Sequence, residues 1–308
     1  MAKPADSLNG EPPVFVFHTF PTFAQNRLYA MTFEDLNLNT PLLNALSDLG
    51  LTEPTVIQHK AFSVIMSGRD VVGIAQTGTG KTFAYLLPIL RQLSFSKQKE
   101  PRVLIVVPTR ELVVQLVGEI QKLTTYMNLR VEGVYGGTNI NTQKLVVMKG
   151  LDVLVATPGR LVDLALSGYL NLKHVKQFVI DEMDEMLSLG FRAQLTSILD
   201  LLPRKRQSLL FSATMSEEVD ELINTFFQGP VLVEAVRAGT PLERIEQRVY
   251  HVPNFFTKIN LLEQLLATDE SMEKVLIFGP SKRMADVIHK QLDARFPEQF
   301  EIVHANKS

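Results

Sequence analysis

The sequence predicts an α/β fold in which a parallel β-sheet is covered by helices on both faces. Short runs rich in valine and isoleucine recur along the chain with little alternation of apolar and polar residues, which is typical of strands buried on both faces. Segments of helical length separate these runs, and such alternation indicates a parallel sheet. The expected strands are 71–75, 103–107, 153–156, 178–180, 209–211 and 231–235, and the expected helices include 82–93, 109–125, 158–167, 184–201 and 216–227.

In a parallel sheet of this kind, the functional residues lie at one edge. Right-handed crossover connections bring the carboxyl ends of the strands to the same side of the sheet. Ligands of such sheets bind at that side, in the loops that follow the strands. Candidate functional residues are therefore expected directly after the apolar runs.

The chain of 308 residues has a length that suggests about two domains. The strand–helix cycle occupies residues 31–236, and the polar stretch 237–246, which contains glycine and proline, is interpreted as a linker. A second cycle occupies 247–308. Its expected strands are 248–252, 275–278 and 301–305, and its expected helices are 255–267 and 281–295.

Residues 1–30 precede the organised pattern. They are rich in proline and lack a clear period, so they are interpreted as an extension with no role in the chemistry. The alternative is a small docking arm built on the aromatic residues of this segment. Those residues are Phe15, Phe17, Phe20 and Phe23.

Composition excludes several kinds of site. The chain has no cysteine, which excludes disulfides, thiolate metal sites and cysteine nucleophiles. The net charge of −2 means that any binding of nucleic acid must depend on a local patch rather than on total charge. No apolar stretch approaches the roughly 20 residues of a membrane span, and the first residues do not form a secretory signal. A cytoplasmic location is expected.

The strongest chemical signal is the segment AQTGTGKT, which follows one expected strand and precedes a helix. It fits the phosphate-binding loop G-x-x-x-x-G-K-[ST] except for alanine at the first glycine position. The glycines allow backbone N–H groups to face phosphate oxygens, the lysine supplies a positive charge, and the threonine hydroxyl suits Mg²⁺. The alternative is a glycine turn with a chance lysine. The loop residues are Ala75, Gln76, Thr77, Gly78, Thr79, Gly80, Lys81 and Thr82.

A second signal is the acidic cluster that ends the run FVI. Asp181 and Glu182 follow this run directly, and Asp184 comes two residues later. In folds with a phosphate-binding loop, a neighbouring strand end presents an aspartate to the same magnesium ion. Glu182 could orient or deprotonate the attacking water. The alternative is an acidic helix N-terminus that favours the helix dipole.

Taken in order along the chain, these motifs resemble those of DEAD-box RNA helicases. The further segments PTRELVVQ, GG, TPGR and SAT, at 108–115, 136–137, 157–160 and 212–214, occur in the family's order, and GLTEPTVIQ at 50–58 is similar to its Q motif. The resemblance covers 31–308, and the spacing and residues of the motifs are most similar to those of the RhlE-like branch. It implies a RecA-like P-loop NTPase lobe followed by an incomplete second RecA-like lobe, with ATP and Mg²⁺ as cofactors and RNA as partner.

The resemblance also implies roles for single residues. Gln58 would pair with the adenine edge and Phe33 would stack on its ring, the alternative for Phe33 being a core anchor. Ser212 and Thr214 would bond near Asp184 and couple the nucleotide site to lobe closure, the alternative being helix capping. Contacts to RNA phosphates and 2′-hydroxyls would come from Pro108, Thr109, Arg110, Gly136, Gly137, Thr157, Pro158, Gly159 and Arg160. Alternatives for the two arginines are an ion pair and solvation of a helix N-terminus.

Two departures from the family pattern stand out. Met183 stands where the DEAD motif of the family has alanine, and we expect little effect on the chemistry of the site. After HANKS, the second-lobe motifs that include an arginine finger have no match, so this chain resembles a helicase truncated within its second lobe. Impaired turnover is expected. The competing interpretations are a nucleotide-gated RNA clamp without unwinding activity and an unrelated nucleotide hydrolase, and the Q motif with the PTREL and TPGR segments argues against the latter.

Overall fold

A computed structural model describes residues 31–76, 78–234, 248–268 and 274–304. The chain forms two compact units, Met1–Thr240 and Pro241–Ser308. The expected extension 1–30, the expected linker 237–246 and Thr77 of the phosphate loop lie outside the described residues.

The first unit is built on a seven-stranded sheet in which all neighbouring strands are parallel. The order across the sheet is β3-β4-β2-β5-β6-β1-β7. This confirms the predicted α/β class. The strands are β1 Val71–Ile74, β2 Val103–Val106, β3 Val131–Val134, β4 Val153–Ala156, β5 Gln177–Asp181, β6 Gln207–Ser212 and β7 Val231–Glu234.

Helices cover both faces of this sheet. One core cluster gathers the apolar residues of α1 to α4, and the other gathers those of α5 to α9. A short 3₁₀ helix, Phe33–Leu36, packs with the first cluster. The helices are α1 Thr40–Asp48, α2 Val56–Met66, α3 Lys81–Gln92, α4 Arg110–Leu123, α5 Ile140–Lys149, α6 Pro158–Leu166, α7 Met183–Ser188, α8 Arg192–Leu201 and α9 Glu217–Phe226.

The predicted helix 184–201 is wrong as a single element. The structure divides this segment into α7 and α8 at Gly190, which has a φ of 80°. Glycine adopts this left-handed conformation without strain and commonly ends a helix. The break separates the short α7, which carries Asp184, from α8, and both helices pack into the second core cluster.

The second unit contains α10 Phe255–Thr268 and α11 Lys282–Arg295, which contact each other. Both helices were predicted. The strands expected at 248–252 and 275–278, and over 301–303, do not form among the described residues. A β-strand requires a hydrogen-bonded neighbour along its length, and these segments have none there. The side chain of Phe278 is 86% exposed as a result.

Candidate functional site

The carboxyl edge of the sheet is divided between two groups of loops. Strands β5, β6 and β1 are neighbours, and they lead into the acidic cluster, the SAT segment and the phosphate loop. Strands β3, β4 and β2 are also neighbours, and they lead into the GG, TPGR and PTREL segments. The strand order thus separates the expected nucleotide residues from the expected RNA residues along one edge.

The phosphate loop has the backbone that its glycines were expected to allow. Gly78 and Gly80 have φ values of 83° and 91°, and α3 begins directly after Gly80. A Cβ atom at Gly80 would lie 2.5 Å from Nε2 of Gln58 and 2.9 Å from Oγ1 of Thr55. A side chain at Gly80 would therefore be strained by the positive φ and would displace the side chains of Gln58 and Thr55 at the start of α2. The Thr79 hydroxyl donates to the carbonyl of Gln76 at 2.7 Å and fixes the turn.

A cleft of about 570 Å³ lies beside this loop. It brings together residues that are far apart in the sequence. Phe33 and Gln58 line the cleft with the phosphate loop, and so do both members of the acidic pair. The predicted nucleotide residues that line it are Phe33, Gln58, Gly78, Gly80, Lys81, Thr82, Asp181 and Glu182.

Lys81 and Glu182 form an ion pair inside the cleft. Nζ of Lys81 donates to Oε2 of Glu182 at 2.8 Å, and the two side chains are only 5% and 18% exposed. Glu182 has a φ of 54°, a left-handed conformation that is rare for a residue with a side chain. Such strain is found most often at functional sites, where the surrounding structure maintains it.

Asp181 is held by a buried tyrosine. The hydroxyl of Tyr85 donates to Oδ2 of Asp181 at 2.7 Å, and the backbone N–H of Glu182 donates to Oδ1 at 3.0 Å. Burial raises the pKa of Asp181 to about 6. The negative charge of Glu182 also raises this pKa, whereas the hydrogen bond from Tyr85 and the positive charge of Lys81 lower it. The pKa of Tyr85 is itself raised well above its usual value, by burial and then by the nearby Asp181.

The donor set at this point suits Mg²⁺ held jointly with phosphate oxygens. The Thr82 hydroxyl and the Asp181 carboxyl line the same cleft, and hard oxygen ligands are those that Mg²⁺ prefers. Among the described residues, no group of three or more histidine, cysteine, aspartate or glutamate side chains could hold a metal alone.

Gln58 and Phe33 are both engaged with the protein. Gln58 accepts from the backbone N–H of Thr55 at 2.9 Å, and its Nε2 donates to the carbonyl of Gly80 at 3.2 Å. Phe33 is 4% exposed and belongs to the first core cluster while also lining the cleft. The core-anchor interpretation of Phe33 and its place at the cleft are therefore compatible. Adenine recognition by either residue stays a prediction.

Asp184 connects the acidic cluster to the SAT segment. Its Oδ2 accepts from the backbone N–H of Thr214 at 3.0 Å and from the Thr214 hydroxyl at 2.9 Å. Burial raises the pKa of Asp184, but hydrogen bonds from Thr214 and the influence of the Ser212 hydroxyl outweigh burial, so this pKa lies below its usual value. The Ser212 hydroxyl is fully buried and makes no hydrogen bond of normal geometry with any described residue.

The second half of the edge carries the residues expected to contact RNA. The Arg110 guanidinium lies 5.1 Å from the centroid of the Tyr135 ring, which is a cation–π contact. None of the ion pairs among the described residues includes Arg110. Gly136 donates its N–H to the Thr157 hydroxyl at 3.4 Å. Of the expected contact residues, the exposed ones are Arg110, Gly136 and Gly137, the buried ones are Pro108, Thr157 and Pro158, and the intermediate ones are Thr109, Gly159 and Arg160.

Arg160 bonds to two protein groups. One terminal nitrogen donates to Oε1 of Gln143 at 2.7 Å, and the other donates to the carbonyl of Thr138 at 2.9 Å. Its Nε is buried and has no hydrogen-bond partner among the described residues. The guanidinium therefore ties the TPGR segment to the loop after β3.

The model of the DEAD/DEAH box helicase family matches residues 55–222, which is more than half of the chain. The chain belongs to this family. The match includes the phosphate loop, the acidic cluster and the loops of both halves of the edge.

The chain is also similar in sequence to individual RNA helicases. RNA helicase CrhR of Synechocystis is 38% identical over 82% of this chain and 51% of its own length. ATP-dependent RNA helicase RhlB of Pseudomonas syringae is 39% identical over 84% of this chain and 67% of its own length. The chain thus spans about half to two thirds of the length of these relatives. A closer relationship to the RhlE-like branch stays a prediction.

Solved structures of a DEAD box protein and of a hypothetical RNA helicase share the fold. A DEAD box protein from Methanococcus jannaschii is 32% identical, and its match covers 90% of this chain and 74% of that chain with a TM-score of 0.65. A hypothetical ATP-dependent RNA helicase from Sulfolobus tokodaii is 35% identical over 64% of this chain and 57% of that chain, with a TM-score of 0.59. The RecA-like fold predicted from the sequence is confirmed. None of the helices in the described part combines the length and apolar character needed to cross a bilayer.

Three residues of this DEAD/DEAH box chain were not predicted from the sequence but take part in the site. Tyr85 lies four residues after Lys81 on α3, a spacing that places two side chains on one helix face. Tyr135 directly precedes the glycine pair. Gln143 interrupts the core-facing positions of α5, between Ile140 and Val147, and a polar residue at such a position was the available signal.

Proposed function

We propose that this chain binds ATP with Mg²⁺ in the cleft and binds the RNA backbone along the neighbouring half of the sheet edge, as part of an ATP-dependent RNA helicase. The observation that carries the proposal is the cleft itself. It brings the adenine-side residues Phe33 and Gln58, the phosphate-side residue Lys81, and the acidic pair Asp181 and Glu182 into one space of about 570 Å³. No single motif of the sequence defines that space.

The phosphate side of the cleft carries positive charge that would attract a triphosphate. α3 begins directly after Gly80 and presents the positive end of its dipole to the phosphate loop. Lys81 contacts Glu182 until phosphate oxygens compete for the ammonium group. Binding of the triphosphate would therefore release Glu182, whose carboxylate could then orient or deprotonate a water molecule. Mg²⁺ held near Thr82 and Asp181 would neutralise charge on the β- and γ-phosphates.

The RNA half of the edge supports contacts to the backbone rather than to bases. Gly136 and Gly137 are exposed and lack side chains, so a phosphate can approach their backbone. Arg110 is exposed beside them. Such groups read phosphates and 2′-hydroxyls, which gives sequence-tolerant binding that weakens with salt. The Asp184–Thr214 contact is proposed to couple the nucleotide half to lobe closure.

The test combines hydrolysis with strand separation. RNA-stimulated phosphate release and duplex unwinding should be measured for the 308-residue polypeptide and for a longer one that includes the remaining second-lobe motifs of the family. The 308-residue polypeptide is expected to bind ATP but to hydrolyse it slowly, since an arginine finger can contribute about 10³–10⁵ in rate. ATP-dependent RNA binding without unwinding in the longer polypeptide would favour the clamp. Equal affinity for GTP and ATP would contradict the adenine assignment.

A further inference from the structure

The Gln143 side chain makes an unusual number of contacts for one amide. It is 8% exposed on α5. Its Oε1 accepts from the backbone N–H of Tyr135 at 3.3 Å and from Arg160 at 2.7 Å. Its Nε2 donates to the Tyr135 carbonyl at 3.1 Å and to the Thr138 hydroxyl at 2.8 Å. Every hydrogen-bonding group of the amide therefore contacts the loop after β3 or the TPGR segment.

These contacts fix the loop that contains the exposed glycine pair. Gly136 and Gly137 lie between Tyr135 and Thr138, the two loop residues that bond to Gln143. The loop also has hydrogen bonds from Gly136 to Thr157 and from Arg160 to the Thr138 carbonyl. The Tyr135 ring contacts Arg110 and packs on the first core cluster. Without Gln143, the described hydrogen bonds of residues 135–138 to other segments would be only those with the TPGR segment.

The same amide reaches the PTREL segment through Tyr135. Two hydrogen bonds hold the Tyr135 backbone. The ring of Tyr135 is thereby placed under the Arg110 guanidinium, 5.1 Å from its centroid. Gln143 is thus connected to the loops that follow β2, β3 and β4, which are neighbouring strands of the sheet.

Packing alone does not account for a glutamine at this position. Ile140 and Val147 lie on the core-facing side of α5, and an apolar side chain between them would continue that surface. A buried amide is unfavourable unless its groups are hydrogen-bonded. Its presence is explained if the geometry that it enforces on the neighbouring loops is needed.

We propose that Gln143 is the positioning residue of the RNA-binding half of the edge. It holds the Gly136–Gly137 backbone and the Arg160 guanidinium so that three separate loops present one surface to the RNA backbone. Arg160 then acts chiefly as a brace within this surface. This inference rests on the proposed RNA-binding function and extends it to a residue outside the recognised motifs.

The experiment compares three variants of the full chain. Gln143→Leu removes the amide but keeps most of the side-chain volume. Gln143→Glu keeps the acceptor for Arg160 and loses both donors. Thr142→Ala, at an exposed neighbour on α5, is the matched control. Affinity for a fluorescent single-stranded RNA, affinity for a fluorescent ATP analogue, and hydrogen–deuterium exchange of residues 135–138 are measured for each.

Gln143→Leu is expected to weaken RNA binding by about tenfold, the order that follows when buried polar groups lose their partner. Exchange at 135–138 should accelerate, while nucleotide affinity stays within about twofold, because the cleft lies at the other half of the edge. The RNA affinity of Gln143→Glu should lie between that of Gln143→Leu and that of the unchanged chain. The RNA affinity of Thr142→Ala should equal that of the unchanged chain.

Four outcomes would overturn the inference. RNA affinity of Gln143→Leu equal to that of the unchanged chain would remove the positioning role. Parallel loss of RNA and nucleotide affinity would indicate a general structural role. Gln143→Glu no better than Gln143→Leu would remove the link to Arg160. An unchanged chain that binds no RNA would instead overturn the proposed function, and this inference with it.

Discussion

Lys81 and Glu182 lie 2.8 Å apart, Nζ to Oε2, in the cleft of the first unit. The lysine comes from the phosphate loop and the glutamate directly follows β5, so the contact joins the two motifs to which the proposed function assigns ATP hydrolysis. Each of the two charged groups is the other's partner in this structure. Under the proposed function, a triphosphate would therefore have to displace the Glu182 carboxylate from Lys81 before either group could act on it.

Replacing Glu182 by glutamine is expected to separate binding from hydrolysis. The amide cannot accept a proton from water, and loss of a general base typically lowers the rate by about 10²–10⁴. ATP affinity should be retained or increased, because Lys81 loses a charged competitor. Single-turnover phosphate release and nucleotide titration measure the two effects. Glu185→Gln, at an exposed position of α7, should change neither, and unchanged hydrolysis in Glu182→Gln would contradict the assignment.

Tyr85→Phe is expected to raise the pH below which affinity for Mg²⁺–ATP is lost. Under the proposed function, Asp181 would bind Mg²⁺ only when ionised, so affinity should fall as the pH decreases through the pKa of about 6. The Tyr85 hydroxyl favours the ionised form, and its removal raises that pKa further. The ring contact with Phe211, at 5.2 Å between centroids, can persist in the variant. Affinity profiles from pH 5 to pH 8 that coincide for the two proteins would exclude this role.

Asp181→Asn is expected to stabilise the protein without ligand while abolishing Mg²⁺-dependent ATP binding. The pKa of Asp181 rises from 3.8 to about 6 on folding. This carboxyl therefore favours folding when protonated, and its contribution is lost as the pH rises from about 3.8 to about 6. At neutral pH the gain should be up to about 3 kcal/mol. Urea unfolding measures it, and a gain that persists undiminished near pH 4 would refute the explanation.

Gln58→Ala is expected to reduce discrimination between ATP and GTP. The side chain joins the start of α2 to the carbonyl of Gly80, so its loss should also loosen the phosphate loop. Competitive titration with ATP, GTP and ADP distinguishes these effects, because loop disorder weakens all three alike. His59→Ala, at an exposed neighbour on α2, serves as the control. Selectivity that survives in Gln58→Ala would remove this residue from adenine recognition.

The sequence predicted six of the seven strands of the first unit because they are apolar on both faces. It did not predict β3, since Glu132 and Gly133 interrupt the apolar pattern of this edge strand. Within the cleft, the residues carried by motifs were predicted and are gathered as expected. Tyr85 and Gln143 were not predicted. Helix spacing and the polar residue among the core-facing positions of α5 mark these two positions, but they do not identify the partners Asp181 and Arg160, which lie 96 and 17 positions away.

The prediction of strands in the second unit failed for a related reason. Val275 and Phe278 have strong strand propensity, but propensity alone does not form a sheet. Hydrogen-bonded neighbours decide whether an apolar run becomes a strand, and the described residues supply none. The helices α10 and α11 were predicted correctly because their hydrogen bonds are local.

Under the proposed function, the buried carboxyl of Asp181 would affect the lifetime of the protein in a cell. A carboxylate that is unfavourable in the cleft without ligand would become favourable once a cation and a nucleotide surround it, and ligand binding would then stabilise the folded state by mass action. Under the proposed function, the supply of Mg²⁺–ATP would set how often the first unit opens far enough for a protease to cut it. Energy depletion would then shorten the survival of the chain as well as stop its activity.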